Sequence, residues 1–451
     1  MKTNKRTKDF SSILLLAFNC IVFTGFSQFV CTDPILFKDI NPGTGNSFLS
    51  EITEFDGKLF FSANNGTNGQ ELWVSDGTPS GTVLFYDIRP GAPWSSLSGL
   101  TVLGDKLYFS ANDGLNGAEL WISDGTRAGT LLFKDINTGT NFSNPRGFTE
   151  FDGKLYFRAN DGSSGLELWV SDGTLAGTML LKDINSGANG STPRDLTVFG
   201  DKLYFSADDG ANGIELWVSD GTPSGTVLFK DINAGAGISF PSQFAKLNGK
   251  LFFTADDGVN GKEMWVSDGT SFGTVLFKNI NSAGSSSLSG FTEYGNKLYF
   301  QANAGTYGRE LWVSDGTVAG TLLFKDICSG TCGSFPIEFT VFGGSLYFQA
   351  TDGTHGQELW ISNGTSAGTV LLKDIDSGRD SEPSGFTILG DKLFFQANDG
   401  IHGQEMWSLS CSVPVPTLSQ WGLIVLSLFF LILGMVAIGN KKLRYKNIVS
   451  G

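Results

Sequence analysis

The chain has 451 residues, with 45 acidic and 31 basic side chains, 60 glycines and only two histidines. This composition implies many tight turns and little acid-base chemistry near neutral pH. Setting aside residues 1–27, with four bases and one acid, and the tail after residue 438, with four more bases, leaves 23 basic against 44 acidic residues. Phosphate backbones would repel such a body, which excludes nucleic acid as a partner.

The N-terminus carries Lys2, Lys5, Arg6 and Lys8, then the apolar run Ile13 to Thr24, then Gly25-Phe26-Ser27. A basic start, an apolar stretch and small residues in that order predict a secretory signal peptide over 1–27. Cys20 is not expected to carry a lipid anchor, because Phe18-Asn19 before it lacks the small residues a lipoprotein peptidase prefers.

From residue 28 to 412 one pattern repeats. Its clearest copy is Glu71-Leu72-Trp73-Val74-Ser75-Asp76-Gly77-Thr78-Pro79-Ser80-Gly81-Thr82, and its tryptophan returns at Trp121, Trp169, Trp217, Trp265, Trp312, Trp360 and Trp407. The step is 48 residues, shortened to 47 in two places, which means an array, solenoid or propeller. These copies resemble the bacterial ELWxxDGT repeat family, a resemblance that covers nearly the whole chain between its hydrophobic ends. It implies an exported surface protein and names no reaction.

Each unit reads as four short antiparallel strands. In the second, Gly99 to Leu103 turns at Gly104-Asp105 into Lys106 to Ala111; a glycine loop, Asn112 to Gly117, leads to Glu119 to Ser123; and the turn Asp124 to Gly129 leads to Thr130 to Ile136. Four strands in such a period make a propeller blade, with apolar residues on both faces because each sheet is covered by a neighbour on either side. The first copy of the fourth strand, Ile35 to Ile40, stands alone at the start, and the last tryptophan strand, Glu405 to Ser408, has no fourth strand after it. Each orphan completes the other, so the expected fold is an all-β, eight-bladed propeller closed by the N-terminal strand. After Cys20 is removed, four cysteines remain, an even number suited to an oxidising compartment. On the repeat, Cys31 and Cys411 fall two positions apart on one hairpin turn, which predicts a disulfide worth at most roughly 5 kcal/mol by the chain-entropy model. Cys328 and Cys332 are expected to pair locally.

The repeated polar residues invite a calcium reading, but variation among the copies argues against it. Asp76 becomes Asn363, and the loop acid Asp113 becomes Asn65 or Ala304, so the position keeps turn shape and not charge. No cofactor or metal is expected. Glu71 and its seven equivalents never change; if Ser75 pairs with Thr82, Glu71 lies opposite Tyr86, a lysine in later copies such as Lys134, and a cross-strand ion pair follows. His355 and His402 share one loop position with Asn68 and Asn116 and read as turn residues that tolerate positive φ.

At the C-terminus, the linker and motif over 413–422 contain Val415-Pro416-Thr417-Leu418, then Trp421-Gly422. Trp421 to Ile438 is an uncharged apolar run long enough to span a membrane as a helix, and Lys441, Lys442, Arg444 and Lys446 follow within 439–451. The positive-inside rule keeps that tail in the cytoplasm. The three parts in this order resemble the IPTLxxWG sorting signal of Gram-negative bacteria, with Val415 standing where the family has Ile. The resemblance implies a membrane-embedded exosortase as partner, removal of the helix and delivery of the body to the cell surface.

No unique nucleophile, base or metal cluster is evident, so the expected function is a non-catalytic surface module that scaffolds, adheres or binds an unknown partner. The alternative is an extracellular enzyme on polysaccharide or peptide, using off-pattern carboxylates such as Asp380 and Glu382 beside an arginine. Off-pattern residues gather in the connections between blades, and Arg89, Trp94, Arg146, Arg194 and Arg379 mark the candidate contact face.

Overall fold

The computed structural model describes residues 30–412 and 426–431. It comprises two units, one of residues 32–410 and one drawn from the chain ends, 1–31 with 411–451. In the first unit every repeat forms a four-stranded antiparallel sheet in chain order, for example Ser98–Leu103, Lys106–Asn112, Ala118–Ser123 and Leu131–Lys134 in blade two. The eighth sheet takes its fourth strand from the start of the chain: Ile35–Lys38 pairs with Gln404–Ser412, setting Ile35 opposite Ser408 and Leu36 opposite Trp407.

The first strands run side by side around the axis, and Ser384–Leu389 of blade eight lies beside Ser50–Phe55 of blade one. Thr387 Oγ1 donates to the Ile52 carbonyl at 2.9 Å across that seam, as Thr53 Oγ1 donates to Leu100 at 3.1 Å between blades one and two. Eight blades therefore close on themselves, as the orphan half-units require.

The second strand explains why a blade cannot stand alone. Phe60 packs with Leu107, Phe109 and Trp121 of blade two, while Leu59 and Phe61 pack with Phe394 and Met406 of blade eight. Both faces are fully buried, and each large apolar side chain removed from water contributes about 2–3 kcal/mol. Trp73, Trp121, Trp169 and Trp265 each pack on the phenylalanine opposite, as Trp121 does on Phe109 at 6.4 Å between ring centroids.

The hairpin turn owes its sequence to two glycines and one side-chain acceptor. Gly77 has φ +85°, and Asp76 Oδ1 accepts from Thr78 N at 2.9 Å and Thr78 Oγ1 at 2.7 Å. A Cβ on Gly81 would stand 2.0 Å from that oxygen, so only glycine leaves room for it. Asn363 accepts the same two bonds from Thr365, at 3.0 and 2.7 Å. An amide oxygen does the work there, so the turn needs an acceptor and not a charge.

The expected ion pair at Glu71 is wrong. Ser75 does meet Thr82, hydroxyl to hydroxyl at 2.7 Å, but a bulge between Leu72 and Trp73 brings Tyr86 opposite Leu72. The extra residue on one strand shifts the register by one and sends Glu71 the other way. Its Oε2 accepts from Ile88 N at 2.7 Å and its Oε1 from Ser95 N at 3.1 Å, which ties the fourth strand's exit to the next blade's approach. The lysines bond elsewhere: Lys134 Nζ donates to the carbonyls of Leu175 and Thr178 in the neighbouring blade.

In the second unit, Cys31 and Cys411 lie directly opposite each other and are joined as a disulfide, with Cα atoms 4.0 Å apart. Cys328 and Cys332 form the local bridge, with Cα atoms 5.3 Å apart. The expected signal peptide lies outside the described residues, as does the span 421–438 except for a helix over 426–431. Among the described residues no helix is long and apolar enough to cross a membrane.

Candidate functional site at the axial mouth

The first strands open on the axis at their N-terminal ends, where blades one, two, six and eight carry Ser50, Ser98, Ser289 and Ser384 and blade seven carries Ile337. Blades three and four carry Arg146 and Arg194 instead. Arg146 faces Arg158 of the second strand across the ladder, which adds another guanidinium to blade three. In blade five the position is Ser242, and Lys262 from the third strand reaches it, Nζ donating to Ser242 Oγ at 2.8 Å. Three consecutive blades thus present cations at one height around the mouth.

Asp195 stands next to Arg194 where four blades have glycine, at φ +55°. Glu51, Gln243 and Glu338 share that position, and their side-chain oxygens accept from the glycine N–H of the following blade: Gly99 at 2.8 Å, Gly290 at 2.8 Å and Gly385 at 3.0 Å. Asp195 is a methylene shorter than Glu and is followed by Gln243, so its carboxylate makes no such bond and answers to the cations. It touches water, yet enough protein surrounds it that burial raises its pKa, against the opposing charges of Lys262, Arg194 and Arg158. Burial in turn lowers the pKa of Lys262, opposed by Asp195 and Asp256. Arg158 is half-buried; burial first, then Arg194 and Arg146, press its pKa down, with Asp195 opposing. The mouth therefore holds like charges together, opposed by Asp195 and Asp256, an arrangement that a bound anion would complete.

Of the residues expected to form a contact face, Arg146 and Arg194 come together here. Arg89 does not: its Nη1 donates to the Trp94 carbonyl at 3.4 Å, in the connection between blades one and two. The Trp94 ring packs 5.6 Å from that of Phe48, both partly exposed. Arg379 and Asp380 line a separate cleft of 250 Å³ with Thr44, Asn46, Asp376 and Ile401. The acids first suggested for chemistry serve as hydrogen-bond acceptors in the connection before blade eight. Asp380 Oδ1 accepts from Gln357 N at 2.8 Å and Glu382 Oε2 from Gln404 Nε2 at 3.1 Å.

Sequence reasoning missed Arg158, Asp195 and Lys262, each of which breaks the repeat. Arg158 replaces the Ser62 and Ser110 of other blades, Lys262 the Gln70 and Ala118, and Asp195 the Gly99 and Gly147. The signal was visible residue by residue, but not the fact that three different strands aim at one place.

His355 and His402 bond through Nδ1 to Asp352 and Asp399, each at 2.7 Å, as Asn116 Nδ2 bonds to Asp113 at 2.8 Å. The side-chain hydrogen bond to the aspartate raises the pKa of each. Among the described residues no three His, Cys, Asp or Glu side chains come together as a metal site.

Comparison with known proteins gives two kinds of result. Residues 413–439 match the IPTL-CTERM motif, which implies an exported, cell-surface protein. No curated protein matches the sequence. Among solved structures, the chain resembles one from a study of two prolyl endopeptidases, at 12% identity and a TM-score of 0.48, covering 80% of this chain and 55% of that one. It also resembles a puromycin hydrolase, at 12% identity and a TM-score of 0.44, and a variant of that hydrolase complexed with PGG, at 12% and 0.45; each likeness covers 80% of this chain and 60% of the other. The chain thus spans a little over half the length of these proteins. All three are enzymes by name, where a non-catalytic adhesion or scaffold module was expected for this chain. At this distance they transfer neither a residue nor a substrate.

Proposed function

We propose that this protein is an exported enzyme acting on an extracellular polymer, polysaccharide or peptide, at the axial mouth of its propeller. The observation that carries this reading is the charge coupling of Asp195 to Lys262, Arg194 and Arg158, with Arg146 opposite Arg158 across the ladder. Burial raises the pKa of the acid and lowers that of the amine, the directions in which a general acid and a general base are tuned. The arginines would hold substrate charge beside the pair.

Delivery follows the motif at 413–439. In the proposed sequence of events, a signal peptide over 1–27 directs export and the segment 421–438 anchors the chain in the membrane of a Gram-negative bacterium. An exosortase then recognises Val415 to Gly422 and releases the body to the surface. Membership in the ELWxxDGT repeat family belongs to the same proposal and rests on seven copies of the motif and a partial eighth at Glu405-Met406-Trp407.

The test is a turnover screen of the full-length protein on extracellular polysaccharides and peptides, with Asp195→Asn and Lys262→Met beside it. Turnover lost in both variants with unchanged melting temperature supports the reading; turnover by neither wild type nor variants on any polymer class rejects it. Deleting 415–422 tests the delivery step, which fails if release and surface display are unaffected.

A further inference from the structure

We infer that the polymer taken at the axial mouth is a uronate-bearing polysaccharide, whose successive carboxylates are held by the arc of cations from Arg146 to Lys262. The inference rests on the reading of the mouth as the substrate end and adds to it the class of substrate.

The body around the mouth is strongly acidic, 44 acids against 23 bases over 28–438. An acidic surface repels anions, so the four bases gathered on three adjacent blades mark the place where an anion is accepted in spite of the field. They form an arc: blade two carries Ser98 at the position of Arg146 and Arg194, while blade six carries Ser289 there and, at the position of Lys262, Arg309, which lies over the Phe335 ring at 5.4 Å. An arc suits a chain with a charge on successive units better than one isolated anion. Three of the four bases are arginines, whose planar donors match a carboxylate in a forked pair where lysine offers a point charge.

An aromatic neighbour narrows the class. Phe240, two residues before Ser242, has φ +45° and is 43% exposed, so part of its ring faces solvent at the start of the strand whose Ser242 accepts from Lys262. An exposed ring beside bases offers the C–H face of a sugar a platform while the bases take its carboxylate. An acidic peptide would use the bases and leave the ring without a comparable role.

The experiment is affinity electrophoresis of the full-length protein through gels holding polygalacturonate, neutral dextran or poly-glutamate. Polygalacturonate should retard the wild type while dextran does not, and poly-glutamate should retard it at least tenfold less. The double variant R158Q/R194Q should lose at least tenfold in affinity. Because Arg158 is half-buried, the exposed Arg146→Gln is measured too and should lose severalfold, while Arg89→Gln should bind as the wild type does. Absence of polygalacturonate binding, equal binding of poly-glutamate, or full binding by Arg146→Gln would overturn the inference. Polyuronate binding without turnover of any polymer would uphold it and reject the enzyme; peptide turnover without polyuronate binding would do the reverse.

Discussion

The buried glutamates offer the sharpest test of how this propeller is held together. All eight are fully buried, and burial pushes Glu71, Glu310, Glu358 and Glu405 up to about 7 against their hydrogen bonds. In Glu310, Oε2 accepts from Ile327 N at 2.7 Å and from Ser334 Oγ at 2.6 Å, and Oε1 accepts from Ser334 N at 2.9 Å. Glu310→Gln puts an NH₂ group against a backbone N–H whichever way the amide turns. A protonated carboxyl keeps a lone pair for Ile327 while its proton goes to Ser334, whereas an amide nitrogen has none to offer. One buried donor is then orphaned, at a cost of about 1–3 kcal/mol. The pH dependence adds a second reading. A carboxyl whose folded pKa lies above its unfolded value contributes stability that is complete below about 4.5 and lost as pH rises through about 7, amounting to about 3 kcal/mol. Glutamine does not titrate, so the cost of the substitution should be larger at pH 5 than at pH 8, by up to about 3 kcal/mol. Guanidinium unfolding at the two pH values measures it. A cost that stays level, or grows with pH, would show the carboxylate to be ionised throughout and would defeat the argument from burial.

Three further outcomes are expected. Cys31→Ser opens a disulfide closing a separation of 380 residues, and the loss should reach at most roughly 5 kcal/mol, read as a lower unfolding midpoint that reducing agent reproduces in the wild type and not in the variant. Lys134→Met removes donors to Leu175 and Thr178 of the next blade and should cost about 1–2 kcal/mol in unfolding free energy; an unchanged midpoint would mean that these carbonyls find water instead. His402→Asn should leave the melting temperature unchanged, since Asn116 makes the same bond in its own blade, and a clear drop would reveal a role for the imidazole beyond the turn.

The blade, its count and its closure could be read from the chain because they depend on local chemistry repeated many times. Asp76 and Gly77 specify a turn, Phe60 and Phe61 specify two buried faces, and the lone strands at Ile35 and Glu405 can be satisfied only by each other. The disulfide between Cys31 and Cys411 follows from the same register. Glu71 shows where that reading fails: one bulged residue beside Trp73 reverses which side chain meets which, and nothing in the sequence of a single hairpin announces it. The axial mouth lay further out of reach. Arg146, Arg158, Arg194, Asp195 and Lys262 come from different strands of three blades. Their charges act on one another only after the ring brings those strands to a common axis. Periodicity thus determined the ring, because hydrophobic burial is satisfied blade by blade. Tertiary structure alone decided the site, because electrostatic coupling depends on distance in space and not along the chain.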